Sequence, residues 1–166
     1  MKYAVIYQSK SGNTKFLAET ICDELEGTER ILVDIDKMKE IPVADFYFIG
    51  FGIHDYACRL EIADMMERMA GVRYALFMTC GLVPTEKYRA NLLKTLEICL
   101  PENSKQYGAF LCQGRVSSDQ CNNMIRKFPH CESELRKMFQ MGEEHPNVGD
   151  MYACKDFVRM IRRKIE

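Results

Sequence analysis

The sequence predicts an α/β fold: one domain, residues 1–166, in which a five-stranded parallel sheet lies between two layers of helices, a three-layer sandwich. Three observations predict it. Five short apolar runs rich in β-branched and aromatic residues recur along the chain, and segments with the period of an amphipathic helix stand between them. Strand and helix alternate in units of roughly 25 residues, as right-handed crossovers between parallel strands require. With 166 residues the chain can bury one sizeable core and not two.

The elements follow in order. "YAVIY" from Tyr3, "FYFIGF" from Phe46 and "RYALFM" from Arg73 are almost continuously apolar, as strands covered on both faces are. "ILVDI" from Ile31 and "GAFLCQ" from Gly108 complete the five. After Thr14 a helix is marked by Leu17, Ile21 and Leu25, with Ala18 and Cys22 on the same face. A second runs from Leu60 to Met69 through Ile62, Met65 and Met66, and a third from Tyr88 to Leu100 through Leu92, Leu93 and Leu96, where Pro101 stops it. The stretch from Ile35 to Val43 is short, charged and limited by Pro42, so no full helix is expected there. Beyond the fifth strand the chain turns helical and more polar in "SSDQCNNMIRKF" and "ESELRKMFQM". "HPN" at His145 leads into a last helix, marked by Phe157, Ile161 and Ile165, that should pack beside the first.

Composition narrows the function. At 47% hydrophobic and 28% charged, with a net charge of -1, the chain has no field to draw nucleic acid or an anionic membrane, and neither is expected as a partner. No apolar run approaches the roughly 20 residues of a membrane span, and no signal-peptide pattern is present, so a cytoplasmic location is expected. The eight cysteines form no C-x-x-C pair and several sit in apolar patterns, which reads as reduced thiols. Cys121, Cys131 and His130 come nearest to a ligand cluster, yet their spacing fits no common zinc motif, and no metal site is assigned. The three histidines lie in separate segments with no hydrolytic grouping, and no catalytic residue is assigned.

One turn carries chemistry. "YQSKSGNT", Tyr7 to Thr14, joins the first strand to the first helix, at the sheet end where α/β folds bind ligands. The uncapped NH groups and dipole of the helix favour a phosphate there; Ser9, Ser11, Asn13 and Thr14 offer donors, and Gly12 permits close backbone approach. An ordinary N-capped turn accounts for the same residue types equally well. Neither the Walker A pattern nor GxGxxG is present, which argues against a nucleoside triphosphatase and a dinucleotide site and leaves a single terminal phosphate.

The segment Ser9-Lys10-Ser11-Gly12-Asn13-Thr14 resembles the (T/S)-x-(T/S)-G-x-T phosphate-binding signature of the flavodoxins. "FGIHDYACRLE" after the third strand and "TCGLVPTEKY" after the fourth look like that family's two flavin-ring loops. The ends "TCG" and "CQG", the later "EEHPN" and the uninterrupted fifth strand are similar to a short-chain bacterial flavodoxin-like group, and the resemblance covers essentially the whole chain. It implies a flavodoxin-like sheet of order 2-1-3-4-5 with FMN as cofactor. The phosphate would lie on Ser9, Lys10, Ser11, Gly12, Asn13 and Thr14, and the ring beside Gly52, Ile53, His54, Asp55, Tyr56, Thr79, Cys80, Gly81 and Tyr88.

The chain departs from the family by having no Trp, so Tyr56 and Tyr88 become the stacking candidates, with His54 beside them. Asp55 would place a carboxylate near the ring edge and lower the flavin's potential. The function implied is electron transport between a reductase and an acceptor enzyme, these two being the redox partner proteins, with a monomer expected rather than a dimer. The alternatives are an NAD(P)H-dependent FMN or quinone oxidoreductase and a non-catalytic subunit of a larger reductase. Only Arg59, Lys87 and Arg89 stand near the ring loops as cations to grip a second nucleotide, which favours the carrier.

Overall fold

The computed structural model describes residues 1–165. Strands β1 (Lys2–Tyr7), β2 (Glu29–Asp34), β3 (Phe46–Gly52), β4 (Arg73–Cys80) and β5 (Lys105–Gln113) form one sheet in the order β2-β1-β3-β4-β5. All four pairings are parallel. Helix α1 (Asn13–Glu24) follows β1, α2 (Leu60–Glu67) follows β3 and α3 (Glu86–Leu96) follows β4. After β5 come α4 (Ser118–Lys127), α5 (Glu132–Gly142) and α6 (Val148–Ile165).

Alternation along the strands splits the core into two halves. Tyr3, Val5, Phe46, Phe48, Ala75 and Phe77 point to one face, where Leu17 and Ile21 of α1 and Val158 and Ile161 of α6 meet them. Ala4, Ile6, Ile49, Phe51, Leu76 and Met78 point to the other, against Ile62, Met65 and Met66 of α2 and Leu92 and Leu96 of α3. Each large apolar side chain taken from water in these layers contributes about 1.5 to 3 kcal/mol before the cost of ordering the chain. As expected, α6 lies beside α1, and Arg159 crosses between them to both carboxylate oxygens of Glu24 at 2.8 and 3.1 Å.

Close packing explains one glycine. Gly50 in β3 pairs with Phe77 in β4, and the Phe77 ring lies over it so tightly that a Cβ would stand 2.0 Å from two ring carbons. No other residue fits without moving the ring.

Several boundaries differ from the sequence reading. Strand β5 begins at Lys105, three residues before the apolar run, because an edge strand pairs on one side through its backbone and tolerates polar side chains. Helix α3 starts at Glu86 since the Thr85 hydroxyl accepts the Tyr88 NH at 3.2 Å, and it tightens into a 3-10 turn over Glu97–Cys99 before Pro101. Residues 35–43 hold only a 3-10 turn, Ile35–Lys37, capped by Asp34. Ahead of α6, Asn147 caps the helix through Gly149 NH at 2.8 Å, as "HPN" suggested. No helix among the described residues is long and apolar enough to cross a membrane.

Candidate functional site

A cavity of about 250 Å³ opens at the carboxyl ends of β1, β3, β4 and β5. Four segments wall it: the β1–α1 turn, the segment after β3, the end of β4, and the stretch from Gly114 through α4 to Phe128.

The β1–α1 turn is held from both ends. Ser9 Oγ accepts the Gly12 NH at 3.1 Å, closing the turn on itself. Gly12 takes the N-cap position of α1 at φ 90°, a left-handed conformation that glycine adopts without strain. That helix end has no side-chain cap and no acidic residue in its first turn, so its NH groups keep their donor capacity. On the β2 side, Gln8 Nε2 and Lys10 Nζ both donate to Asp36, at 3.0 and 2.5 Å. The Lys10 hydrogen bond, then that from Gln8, holds the Asp36 carboxyl below the usual carboxylate range.

Beneath the turn the donors engage the sheet. Thr14 Oγ1 and Thr79 Oγ1 stand 2.9 Å apart and both residues are buried. Asn13 Nδ2 donates to the Arg115 carbonyl at 2.8 Å, over Gly114, where a Cβ would come within 2.5 Å of that nitrogen. Thr14 and Asn13 thus tie the phosphate-type turn to β4 and to the chain leaving β5.

The segment after β3 makes a sharp turn. His54 and Ala57 exchange backbone hydrogen bonds of 2.9 Å each, and between them Asp55 and Tyr56 adopt φ of 49° and 61°. Two consecutive non-glycine residues in the left-handed region cost strain, which the paired ends of the turn sustain. Partial desolvation, then the Arg59 charge, moves the His54 imidazole below its ordinary 6.5, so the ring is neutral at pH 7. At the end of β4, Cys80 donates its S–H to the Leu82 carbonyl at 3.2 Å, and burial pushes its thiol up to about 12, which leaves a neutral packing group and no nucleophile.

Of the residues singled out in the sequence, the wall of the cavity takes Ser9, Lys10, Ser11, Asn13, Thr14, Gly52, Ile53, His54, Asp55, Thr79, Cys80 and Gly81. Gly12 stands at the head of α1. Tyr56 and Tyr88 lie outside the wall and pack on each other, ring centroids 5.0 Å apart at 50°.

The fourth wall was not anticipated. Gln120, Asn123, Met124 and Lys127 of α4 line the cavity at helical spacing, followed by Phe128, with Phe139 of α5. Lys127 reaches across to Asp55 at 3.4 Å, so α4 touches the segment after β3. The 120, 123, 124, 127 spacing was readable as one helix face, but nothing local indicated that this face would meet the cavity. The placement comes from Gln113, whose Nε2 donates to the carbonyls of Gly81 and Met138 at 3.2 and 2.8 Å, and from Arg115, whose guanidinium donates to the Glu143 carbonyl at 3.0 and 2.8 Å.

This corrects the count of nearby cations. Arg59 lines the cavity as expected, whereas Lys87 does not, and Arg89 instead donates to the Ala109 carbonyl. Lys10, Arg115 and Lys127 join Arg59, three of these four being engaged with Asp36, Glu143 and Asp55. Among the described residues no three His, Cys, Asp or Glu side chains converge on a metal position.

Comparison with known proteins agrees with this architecture. Over 99% of both chains, the sequence is 27% identical to the flavodoxin-like domain-containing protein BilS of Clostridioides difficile strain CD3. The structure of the present chain superposes on oxidised flavodoxin 2 from Bacillus cereus with a TM-score of 0.61 at 17% identity over 99% of each chain. It superposes likewise on a short-chain flavodoxin associated with a non-canonical PDU bacterial microcompartment, at a TM-score of 0.55 and 12% identity over the full length of both. A family model described as the flavodoxin domain matches residues 4–159. With the strand order, the uncapped head of α1 and that match all in agreement, the chain belongs to the flavodoxin domain family.

Proposed function

We propose that this protein binds FMN in the cavity and carries electrons between a reductase and an acceptor enzyme as a monomer. The observation that carries the reading is the head of α1, where free helical NH groups, the Ser9 and Ser11 hydroxyls and the left-handed Gly12 converge at one end of a cavity whose other walls are the segments after β3 and β4. The donor set fits a phosphate: it offers NH and OH groups with no carboxylate in the first turn. Ile53, Met124 and Phe128 supply apolar wall for a planar ring, and His54 and Asp55 stand at its rim. FMN supplies the electron-accepting chemistry when bound, one or two electrons at a time. The chain's residues anchor the phosphate, exclude water from one face and place the neutral His54 and charged Asp55 where they set the potential. Family membership supports this reading of the cofactor class.

Absorption spectroscopy of the purified protein tests it. Flavin bands are expected, with FMN released on denaturation; a colourless protein that takes up no FMN overturns the reading.

One observation favours a second reading. Four cations on the cavity wall, Lys10, Arg59, Arg115 and Lys127, could grip a second nucleotide and make the protein an NAD(P)H-dependent flavin or quinone reductase. Their existing partners weigh against it, since three are already engaged. Steady-state kinetics with NADH or NADPH and a quinone decide: slow or absent turnover is expected, and turnover of roughly ten per second, ordinary for an enzyme, selects the reductase.

A further inference from the structure

Two thiols that do not line the cavity meet where the segment after β3 ends. Cys58 ends that segment, directly before Arg59 and α2, and Cys99 lies in the 3-10 turn that closes α3. Their sulfurs are 3.8 Å apart, 41 residues distant in sequence. Both are partly exposed and both border the core half formed with α2 and α3. The remaining thiols differ: Cys80, Cys112 and Cys154 are buried, and Cys22, Cys121 and Cys131 bond to no second sulfur among the described residues.

We propose that Cys58 and Cys99 form a reversible dithiol/disulfide pair that closes on reaction with a small-molecule disulfide and clamps the segment carrying His54 and Asp55 to the end of α3. The inference does not depend on FMN binding. Cys99 is the attacking group. The two sulfurs share a hydrogen bond in which either can donate, and the Cys99 S–H also donates to the Leu96 carbonyl at 3.1 Å. Their shared hydrogen bond lowers the Cys99 thiol and, with burial, raises Cys58, which favours the thiolate on Cys99. A thiolate on Cys99 attacks one sulfur of the reagent disulfide, forming a mixed disulfide and expelling one reagent thiolate. Cys58 then loses its proton and attacks the Cys99 sulfur, the mixed disulfide breaks, and the second reagent thiol leaves. Two protein thiols are oxidised to one disulfide and one reagent disulfide is reduced to two thiols. A bonded pair lies at about 2.0 Å, so the sulfurs must approach by roughly 1.8 Å, which side-chain rotation and the exposed 54–57 turn can supply.

The consequence reaches the cavity. His54, Asp55 and Arg59 stand within four residues of Cys58 and line the wall, and the turn between His54 and Ala57 already holds two left-handed residues. A covalent tie at Cys58 restrains that turn at its end.

The test uses the reduced full-length chain, incubated anaerobically with excess glutathione disulfide, then alkylated and mapped by mass spectrometry. A peptide pair linked through Cys58 and Cys99, reopened by dithiothreitol, is the expected product. Cys58→Ser should stop at a stable glutathione adduct on Cys99, and hydrogen exchange at residues 54–58 should slow at least severalfold in the oxidised wild type. Failure of the pair to link while Cys22 or Cys131 is modified, or a lasting wild-type adduct on Cys99 without closure, overturns the pair. Unchanged exchange at 54–58 in linked protein overturns the clamp.

Discussion

The two sides of the cavity are built differently. The β1–α1 turn hangs from the sheet: Thr14 and Thr79 are buried against each other, Asn13 is tied to Arg115 and Asp36 holds both Gln8 and Lys10. Helix α4 on the opposite side buries none of its own residues, is capped by Ser117 and Gln120, and meets the segment after β3 through an ion pair whose two side chains are 60% and 79% exposed. One wall is part of the folding core, while the other is laid on the surface. A site assembled in this way can hold a phosphate rigidly and still adapt around the rest of a ligand, because the cost of moving α4 is small.

If that contrast is right, the largest loss should come from removing the ligand's phosphate. Riboflavin should bind about 10²- to 10⁴-fold more weakly than FMN, since two charge-assisted hydrogen bonds at about 1.5 to 3 kcal/mol each are forfeited. Isothermal titration with both ligands measures it, and equal affinities would remove the β1–α1 turn from the site.

Next in size is the buried hydroxyl pair. Thr14→Val or Thr79→Val alone should destabilise the apoprotein by about 1 to 3 kcal/mol in urea unfolding, because each leaves the other hydroxyl buried without its partner. The double variant should recover part of that loss. Additive losses would mean that the two hydroxyls do not depend on each other and that this wall is less integral than its geometry says.

A smaller effect belongs to His54. Its folded pKa lies below the ordinary 6.5, so the unfolded chain binds the proton more readily, and stability present above pH 6.5 is lost as pH falls through the folded value. As the ring is only partly desolvated and solvent still screens it, the loss should stay under about 1 kcal/mol. Proton NMR of the imidazole checks it, and a midpoint above 6.5 would contradict the neutral rim.

The smallest effect should come from Lys127→Ala. An exposed ion pair is worth about 0 to 1 kcal/mol, so unfolding midpoints should barely move, while FMN affinity should become less sensitive to salt. A clear loss of stability would show that α4 is bound into the core after all.

The legibility of these two sides differs for the same reason. The turn from Ser9 to Thr14 was readable because its chemistry is local: small hydroxylated residues, a glycine and a helix start are neighbours in sequence, and the nearly continuous apolar runs before and after fix where the sheet must place them. The segments at 52–55 and 79–81 were found through family resemblance, and the structure sets them on the same cavity. Tyr56 and Tyr88 show where such reasoning stops. Aromatic type and proximity in sequence were visible, but no local pattern showed that the two rings would pack on each other, centroids 5.0 Å apart.

The sequence by itself determined the alternation of strand and helix, the two apolar faces of each inner strand and the turn at the head of α1, because burial and helix period act over a few residues. Tertiary structure alone decided that α4 would close the cavity, that Arg115 and Lys127 would replace Lys87 and Arg89 at its wall, and that Cys58 would meet Cys99. Those outcomes rest on contacts such as Gln113 to Met138, between groups 25 residues apart, which no local pattern encodes and only the packed sheet brings within hydrogen-bond reach.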